Sequence, residues 1–217
     1  ILNLQGKIVG KVITKKLKFQ ADDIYRQEIG KLYEQLVEAN QLKETQILGV
    51  GITVEGLTDI EGERVTCSFV EEMADARRKE LAKYISIENR LFHDMTAAGY
   101  NQKLRRGENV FYLSLNSSIG GTILVEDDVY NGNHNRAGAI GHMRLERNGR
   151  KCYCGNHGCF DAYCNTLILK DAAGGELKDF FEEIDRGEKE YVEILDAYVE
   201  RLTDAIFNIR MLYDSTV

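Results

Sequence analysis

The chain has 217 residues, of which 43% are hydrophobic and 29% are charged, a composition typical of a globular protein with a buried core. Its formal net charge of −7 excludes a chain that is basic throughout, so any contact with DNA would need a domain outside this chain. No apolar run reaches the length of a membrane span, and we expect a cytoplasmic protein without a membrane anchor. An odd number of cysteines, most of them in one cluster, fits metal binding in a reducing compartment better than a disulfide framework.

The first half of the chain predicts alternating strands and helices. Alternation of polar and apolar residues predicts a two-stranded hairpin over residues 1–17. Apolar residues at helical spacing predict an amphipathic helix over residues 22–39, and the apolar run 46–54 predicts a strand that is buried on both faces. The charged stretch 71–84 predicts a surface helix, and residues 85–91 predict the next strand.

The second half continues the same pattern. Residues 109–115 predict a buried strand, which a glycine-containing turn connects to a second strand. Helices are predicted over residues 176–184 and 189–213, and the apolar stripe of the longer helix indicates a core or a subunit interface.

Residues 138–164 contain four of the five cysteines and two of the four histidines. Cys152, Cys154 and Cys159 lie within eight residues of one another. Three thiolates and one imidazole complete a tetrahedral zinc shell with no open position, which is the structural type of zinc site. The spacing therefore predicts a structural zinc ion in this stretch.

Glycines and histidines accompany these cysteines. Gly155 and Gly158 lie between the second and third thiols, where the backbone must fold back towards a metal. His142 lies upstream of the three cysteines and His157 lies among them, so two histidines compete for the fourth ligand position.

A family resemblance is carried by the sequence GAIGH, followed by CYCGNHGC and then by FDAY. This combination resembles the signature of the ROK family, which groups bacterial sugar kinases with sugar-responsive transcriptional repressors. The resemblance implies an α/β, actin-like (ribonuclease H-like) sugar kinase fold with a structural zinc loop. It also implies that the zinc ligands are His142, Cys152, Cys154 and Cys159, because the position of His157 is variable in the family.

The stretch HDMTAA, residues 93–98, resembles the Asn-Asp-Ala-Asn-Ala-Ala motif of the family. This match implies that Asp94 is the catalytic base of a kinase and that Asp94 and Thr96 contact the sugar. A rival register places Glu88-Asn89-Arg90 on the motif but puts an arginine at the aspartate. An aspartate that caps the following helix is the alternative that needs no sugar.

The family resemblance implies that His142 and Asp161 also bind sugar hydroxyls. At position 139 the family carries a glutamate, whereas this chain has Ala139. A hydrogen bond to a charged group contributes roughly 1.5–3 kcal/mol, so this replacement is expected to weaken sugar binding. Asp161 replaces a second family glutamate and is one methylene shorter.

The turn NSSIGGT, residues 116–122, resembles a glycine-rich turn whose backbone amides hold phosphate in the family kinases. The resemblance implies that Ser117, Ser118, Gly120 and Gly121 bind phosphate, although two family glycines are replaced. A plain hairpin turn is the alternative. The Asp-x-Gly-Gly-Thr phosphate motif of the family is absent, and we expect the chain to begin just after its usual position.

The altered kinase elements predict a sugar-binding, sugar-responsive transcriptional regulator with an eroded kinase site. The alternative is an ATP-dependent, glucokinase-like enzyme that phosphorylates a hexose or N-acetylhexosamine and requires ATP and Mg²⁺, with Asp94 as the base. By the same resemblance we expect two incomplete lobes, residues 1–88 and 89–217, and a homodimer or homotetramer.

Overall fold

The structure, a computed structural model, describes residues 1–68, 70–101, 109–126 and 128–214. The chain divides into two compact units, Ile1–His93 and Asp94–Val217. The first unit contains α1 (Asp23–Ala39), β1 (Val50–Val54), β2 (Leu57–Thr58), β3 (Val65–Cys67), α2 (Arg78–Leu81) and β4 (Asn89–His93). The second contains α3 (Asp94–Asn101), β5 (Val110–Leu115), β6 (Ile119–Val125), β7 (Asp128–Val129), α4 (Asp161–Cys164), α5 (Thr166–Ala173), α6 (Leu177–Asp185) and α7 (Lys189–Tyr213).

Helix α1 forms where its sequence pattern predicts it. Asp22 is the N-cap, and its carboxylate accepts the amide hydrogen of Tyr25 at 2.8 Å, which satisfies one of the free donors of the first turn. Asp23 binds Lys83 at 2.6 Å and the hydroxyl of Tyr84 at 2.8 Å. The first turn of α1 is thereby tied to the segment that follows α2.

Strand β1 pairs in parallel with β4, with Val54 opposite His93 at their carboxyl ends. The prediction of a strand buried on both faces is wrong, because only Val54 of β1 is buried. In the described part of this unit the sheet has two strands, and its small core consists of Val54, Val65, Leu81 and Leu91.

Two further predictions for the first unit are also wrong. The hairpin over residues 1–17 is reduced to a single bridge between Leu2 and Ile8, and the apolar side chains around it are largely exposed. The helix over residues 71–84 is interrupted at Asp75, whose φ of 66° lies in the left-handed region that ends a right-handed helix.

The second unit is built on an antiparallel sheet in the order β5-β6-β7. Helix α3 packs against β6, and α4 to α7 cover the core. The 25-residue α7 has the predicted bounds, and one of its faces packs against the core, where Tyr198, Ala205 and Ile209 are buried. Phe111, Phe160 and Phe180 complete the centre of this core. Among the residues described, no helix is both long and apolar enough to cross a membrane.

Candidate metal centre and the adjoining turn

The metal loop, residues 142–159, is folded by its own backbone. Arg144 forms an isolated bridge with Cys159, and the amide of Gly158 donates to the carbonyl of Arg150 at 2.8 Å. Gly158 has a φ of +78°, and a Cβ added there would overlap the carbonyl of Glu146. Glycine is therefore required at this point for the loop to close on itself.

The loop brings together the side chains of His142, Cys152, Cys154 and Cys159, whose ligand atoms all lie within 4.8 Å of one another. The Sγ atoms of Cys154 and Cys159 are 3.7 Å apart, and Nδ1 of His142 is 3.7 Å from Sγ of Cys152. A tetrahedral zinc with bonds of about 2.3 Å to sulfur requires sulfur atoms about 3.8 Å apart, so the group fits this ion. His157 does not belong to the group.

A metal that binds here would have to displace protons from the thiols, because burial favours the protonated form. Burial raises the pKa of Cys152 to about 12 and also raises the pKa of Cys159. Burial opposes ionisation of Cys154 as well, but hydrogen bonds from the backbone and side chain of Asn156 and from the thiols of Cys152 and Cys159 outweigh it and lower the pKa of Cys154. A metal bound here must release thiol protons, so its affinity falls with falling pH.

His142 has a partner for each ring nitrogen. Nδ1 faces Cys152, and Nε2 lies 3.4 Å from the hydroxyl of Tyr153. Burial lowers the pKa of His142, an effect that the negative charge of Asp161 opposes. Tyr153 was not predicted as a site residue, although its place between Cys152 and Cys154 guarantees proximity to the centre.

The serine turn, residues 116–119, lies directly against the metal loop. The amide of Ile119 donates to Oδ1 of Asp161, and Asn165 donates to Oδ2 of Asp161 at 3.4 Å. Asp161 is only 2% exposed, and burial raises its pKa although these hydrogen bonds oppose the shift. Asp161 is a predicted sugar-binding residue, and both of its carboxylate oxygens accept hydrogen bonds from within the protein.

The other side of Ile119 meets the start of the metal loop. A Cβ added to Gly141 would overlap the carbonyl oxygen of Ile119, so glycine permits the close approach of the two backbones. The amide of Thr166 also donates to the carbonyl of Asn116 at 2.9 Å. Ile119 is therefore held between residues on both flanks of the metal loop, Gly141 and Asp161.

The predicted phosphate residues lie partly in this turn and partly in a strand. Gly120 and Gly121 belong to β6, where an added Cβ would overlap the Met95 side chain at Gly120 and both the Phe111 ring and the Tyr112 carbonyl at Gly121, so packing alone favours glycine at both positions. Ser117 and Ser118 are half-buried in the turn, and the amide of Ser117 lies 3.2 Å from Oδ1 of the preceding asparagine.

Asp94 is the first residue of α3 and directly follows β4, whereas Asn89 and Arg90 of the rival register lie inside β4. Its Oδ1 accepts the amide hydrogen of Met95 at 2.8 Å, which is compatible with a capping role. Burial raises the pKa of Asp94, opposed by the amides of Met95 and of Asp94 itself. Thr96 lies half-buried in the first turn of the same helix.

Strand β6 connects these predicted residues. The hydroxyl of Thr122 donates to the carbonyl of Met95 at 2.7 Å, and Met95 also packs over Gly120. Since Gly120 follows Ile119, the start of α3, the serine turn and the metal loop form one continuous neighbourhood within the second unit.

The metal loop is basic at its surface. The aromatic ring of Tyr163 lies beneath the guanidinium groups of Arg150 and Arg201, at 5.0 and 4.9 Å from its centroid, and its hydroxyl accepts the amide hydrogen of Arg150 at 2.7 Å. Five exposed charged residues of the loop, four of them basic, are Arg144, Glu146, Arg147, Arg150 and Lys151.

Comparison with known proteins gives relatives of two kinds. The xylose repressor of Bacillus subtilis is 30% identical over 147 residues, which cover 64% of this chain and 37% of the repressor. The N-acetyl-D-glucosamine kinase of Aliivibrio salmonicida is 26% identical over 189 residues, which cover 77% of this chain and 63% of the kinase. The chain thus spans between about a third and two thirds of the length of these relatives.

The fold comparison agrees with the sequence comparison. A ROK family glucokinase from Streptomyces griseus, solved in complex with glucose and AMPPNP, matches with a TM-score of 0.74 at 16% identity, over 99% of this chain and 75% of that one. The expected actin-like α/β fold is therefore confirmed. The model of the ROK family matches residues 4–217, and on this match the chain belongs to the ROK family.

Proposed function

We propose that the chain is the sugar-binding part of a sugar-responsive transcriptional regulator whose kinase site is eroded. The observation that carries this proposal is the hydrogen bonding of the serine turn. The amide of Ile119 donates to Asp161, and the amide of Ser117 is directed to Asn116. Amides that are engaged within the protein are not preorganised for a phosphoryl group.

The energetic consequence favours loss of catalysis over loss of binding. Removal of one preorganised donor to a transition state commonly costs about 2.7–4 kcal/mol, or a hundred- to thousand-fold in rate. The side chains at Asn116 and Ser118, where glycines are expected in a kinase, further restrict the approach of phosphate to the backbone.

The sugar side of the site is less altered. We propose that Asp94, Thr96 and His142 contact sugar hydroxyls, with Asp161 as a further candidate whose carboxylate is shared with the serine turn. The continuous neighbourhood from α3 through β6 to the metal loop supports this grouping. The relative named as a xylose repressor supports the regulator, and contact with DNA would belong to a domain outside this chain. A homodimer or homotetramer is part of the same proposal.

We also propose that His142, Cys152, Cys154 and Cys159 hold one structural zinc ion. Their 3.7 Å separations support a closed tetrahedral shell, which leaves no position for catalysis. Zinc would link the two arms of the metal loop and stabilise it. Protein purified without chelators should contain about one zinc per chain, and a chelator should lower its melting temperature. Metal analysis that finds no zinc would contradict this assignment.

A kinase remains the second candidate because of Asp94. A half-buried carboxyl group whose pKa is raised by burial, at the carboxyl end of a strand, suits a base that accepts a proton from a sugar hydroxyl. This candidate would require ATP and Mg²⁺, and the relative named as an N-acetyl-D-glucosamine kinase supports it.

One experiment separates the two candidates. The full-length protein is heated with a panel of hexoses, N-acetylhexosamines and xylose, with and without ATP and Mg²⁺, while ADP release is followed. Sugar-dependent stabilisation without ADP release supports the regulator, whereas turnover at ordinary kinase rates of roughly 1–100 per second refutes it. Asp94→Asn should reduce the sugar-dependent stabilisation, and Asp171→Asn, at an exposed position of α5, is the matched control.

A further inference from the structure

The two nitrogens of a metal-bound histidine have separate tasks. One binds the metal, and the other normally donates its hydrogen to a neighbouring acceptor that fixes the tautomer and the ring orientation. In His142 the nitrogen directed at the thiols is Nδ1, which lies 3.7 Å from Sγ of Cys152. The other nitrogen, Nε2, lies 3.4 Å from the hydroxyl oxygen of Tyr153.

We propose that Tyr153 is a positioning residue for the metal centre. Its hydroxyl accepts the hydrogen on Nε2 of His142 and thereby keeps Nδ1 free of hydrogen and directed at the metal. This inference rests on the proposed zinc site, and it assigns a role to a side chain that is not itself a ligand.

The position of Tyr153 is well suited to this role. It lies between Cys152 and Cys154, and the backbone on either side is fixed by hydrogen bonds of 2.8 Å from the Cys152 amide to Asn156 and of 3.0 Å from the Gly155 amide to Cys152. The rings of His142 and Tyr153 meet edge-on, with centroids 5.2 Å apart and planes at 73°. The edge-on contact adds to the hydroxyl contact in orienting the imidazole ring.

The hydroxyl of Tyr153 also bears on sugar binding at His142. With Nδ1 directed at the metal and Nε2 at Tyr153, both ring nitrogens are engaged within the protein. A sugar hydroxyl that approaches Nε2 must share or displace the tyrosine hydroxyl. Tyr153→Phe should therefore weaken metal binding but should not weaken sugar binding.

The test compares Tyr153→Phe with Tyr130→Phe in the full-length, zinc-loaded protein. Tyr153 is 42% exposed and Tyr130 is 54% exposed, so each variant removes one hydroxyl from a partly exposed ring of the same unit. Zinc affinity is measured by competition with a chromophoric chelator. Loss of a group that orients a metal ligand typically lowers affinity about 10- to 100-fold, which is the result expected for Tyr153→Phe alone.

A second measurement follows His142 directly. Long-range ¹H–¹⁵N correlation spectra should show a hydrogen on Nε2 in the wild type, and this hydrogen should exchange faster with water in Tyr153→Phe. Zinc affinity of Tyr153→Phe within about twofold of the wild type, together with unchanged exchange, would overturn the role of Tyr153 while leaving the zinc site intact. A wild-type protein that binds no zinc would overturn the zinc site as well.

Discussion

The buried carboxylate of Asp161 joins the serine turn to the metal loop, and two replacements of it have different expected results. Alanine removes the acceptor of the Ile119 amide hydrogen, whereas asparagine keeps an oxygen in that place, removes the charge and replaces the second oxygen, which accepts from Asn165 at 3.4 Å, by an NH2 group. The comparison therefore separates the acceptor of the Ile119 amide from the charge and the longer contact with Asn165, which are lost in both variants.

The magnitudes follow from the burial of the site. Asp161 is 2% exposed, so in Asp161→Ala the donor of Ile119 is left without an acceptor in the interior, which costs about 1–3 kcal/mol. Asp161→Asn loses the attraction between the carboxylate charge and its hydrogen-bond donors. This loss is offset because burial already disfavours the charged carboxylate, as the raised pKa of Asp161 shows. We expect the free energy of unfolding of this variant to change by less than about 1 kcal/mol.

The assay is thermal unfolding combined with hydrogen exchange. For a chain of this size 1 kcal/mol corresponds to roughly 2–4 °C, so a loss of about 2 kcal/mol in Asp161→Ala lowers the melting temperature by roughly 4–8 °C. The amide of Ile119 should lose its protection in that variant and keep it in Asp161→Asn. A sugar titration adds a third readout, since a direct contact of Asp161 with the sugar predicts weaker binding in Asp161→Asn at unchanged stability.

Two results would refute this reasoning. The first is an asparagine variant as unstable as the alanine variant, which would mean that the charge or the contact with Asn165, and not the acceptor of the Ile119 amide, matters. The second is unchanged protection of the Ile119 amide in Asp161→Ala, which would mean that the hydrogen bond to Asp161 does not hold the turn.

Two further predictions concern the metal loop and a histidine outside it. Gly158→Ala places a methyl group on the carbonyl of Glu146 and should sharply lower both the stability and the zinc content. Gly155→Ala, at a φ of +86° in open space, should lower the stability by only about 1–2 kcal/mol. Equal losses in the two variants would contradict the overlap at Gly158. Burial lowers the pKa of His93 from 6.5 to about 4. Between pH 6.5 and pH 4 this histidine is therefore protonated in the unfolded chain before it is protonated in the folded one. The free energy of unfolding falls as the pH drops through this range, by about 3 kcal/mol at most. His93→Asn should remove that part of the pH dependence of unfolding, and an unchanged profile would show that His93 does not contribute to it.

Local patterns account for what the sequence predicts correctly. The clustering of the three cysteines is predictable because they lie close together in the sequence and the glycine between them has a backbone reason to be there, as the φ of Gly158 shows, whereas the choice of His142 over His157 comes from the family resemblance. The bounds of α7 are predictable because a 25-residue amphipathic pattern outweighs local exceptions. The start of α3 directly after β4 is a third example, since a strand followed by small residues indicates a strand-to-helix connection.

Long-range contacts account for what the sequence does not reveal. The hydrogen bond between Ile119 and Asp161 joins residues 42 positions apart, and no local pattern encodes it. The packing of Met95 over Gly120 is also a long-range contact. It gives a structural reason for Gly120, which in the sequence resembles part of a phosphate-binding turn. The helix predicted over residues 71–84 breaks at Asp75 because this residue has a positive φ. Such an angle is usually marked by a glycine in the sequence, and here the residue is an aspartate.

The basic side chains of the metal loop also bear on the charge of the centre itself. Three thiolates outweigh the two positive charges of zinc by one, so a loaded centre with a neutral His142 is an anion. Arg144 acts on this centre, because its charge opposes the rise in the pKa of Cys159. Relative to three neutral thiols, uptake of a dication therefore makes the protein more negative by one charge. A negatively charged molecule that approaches the loop consequently meets a less basic surface when zinc is bound than when it is absent.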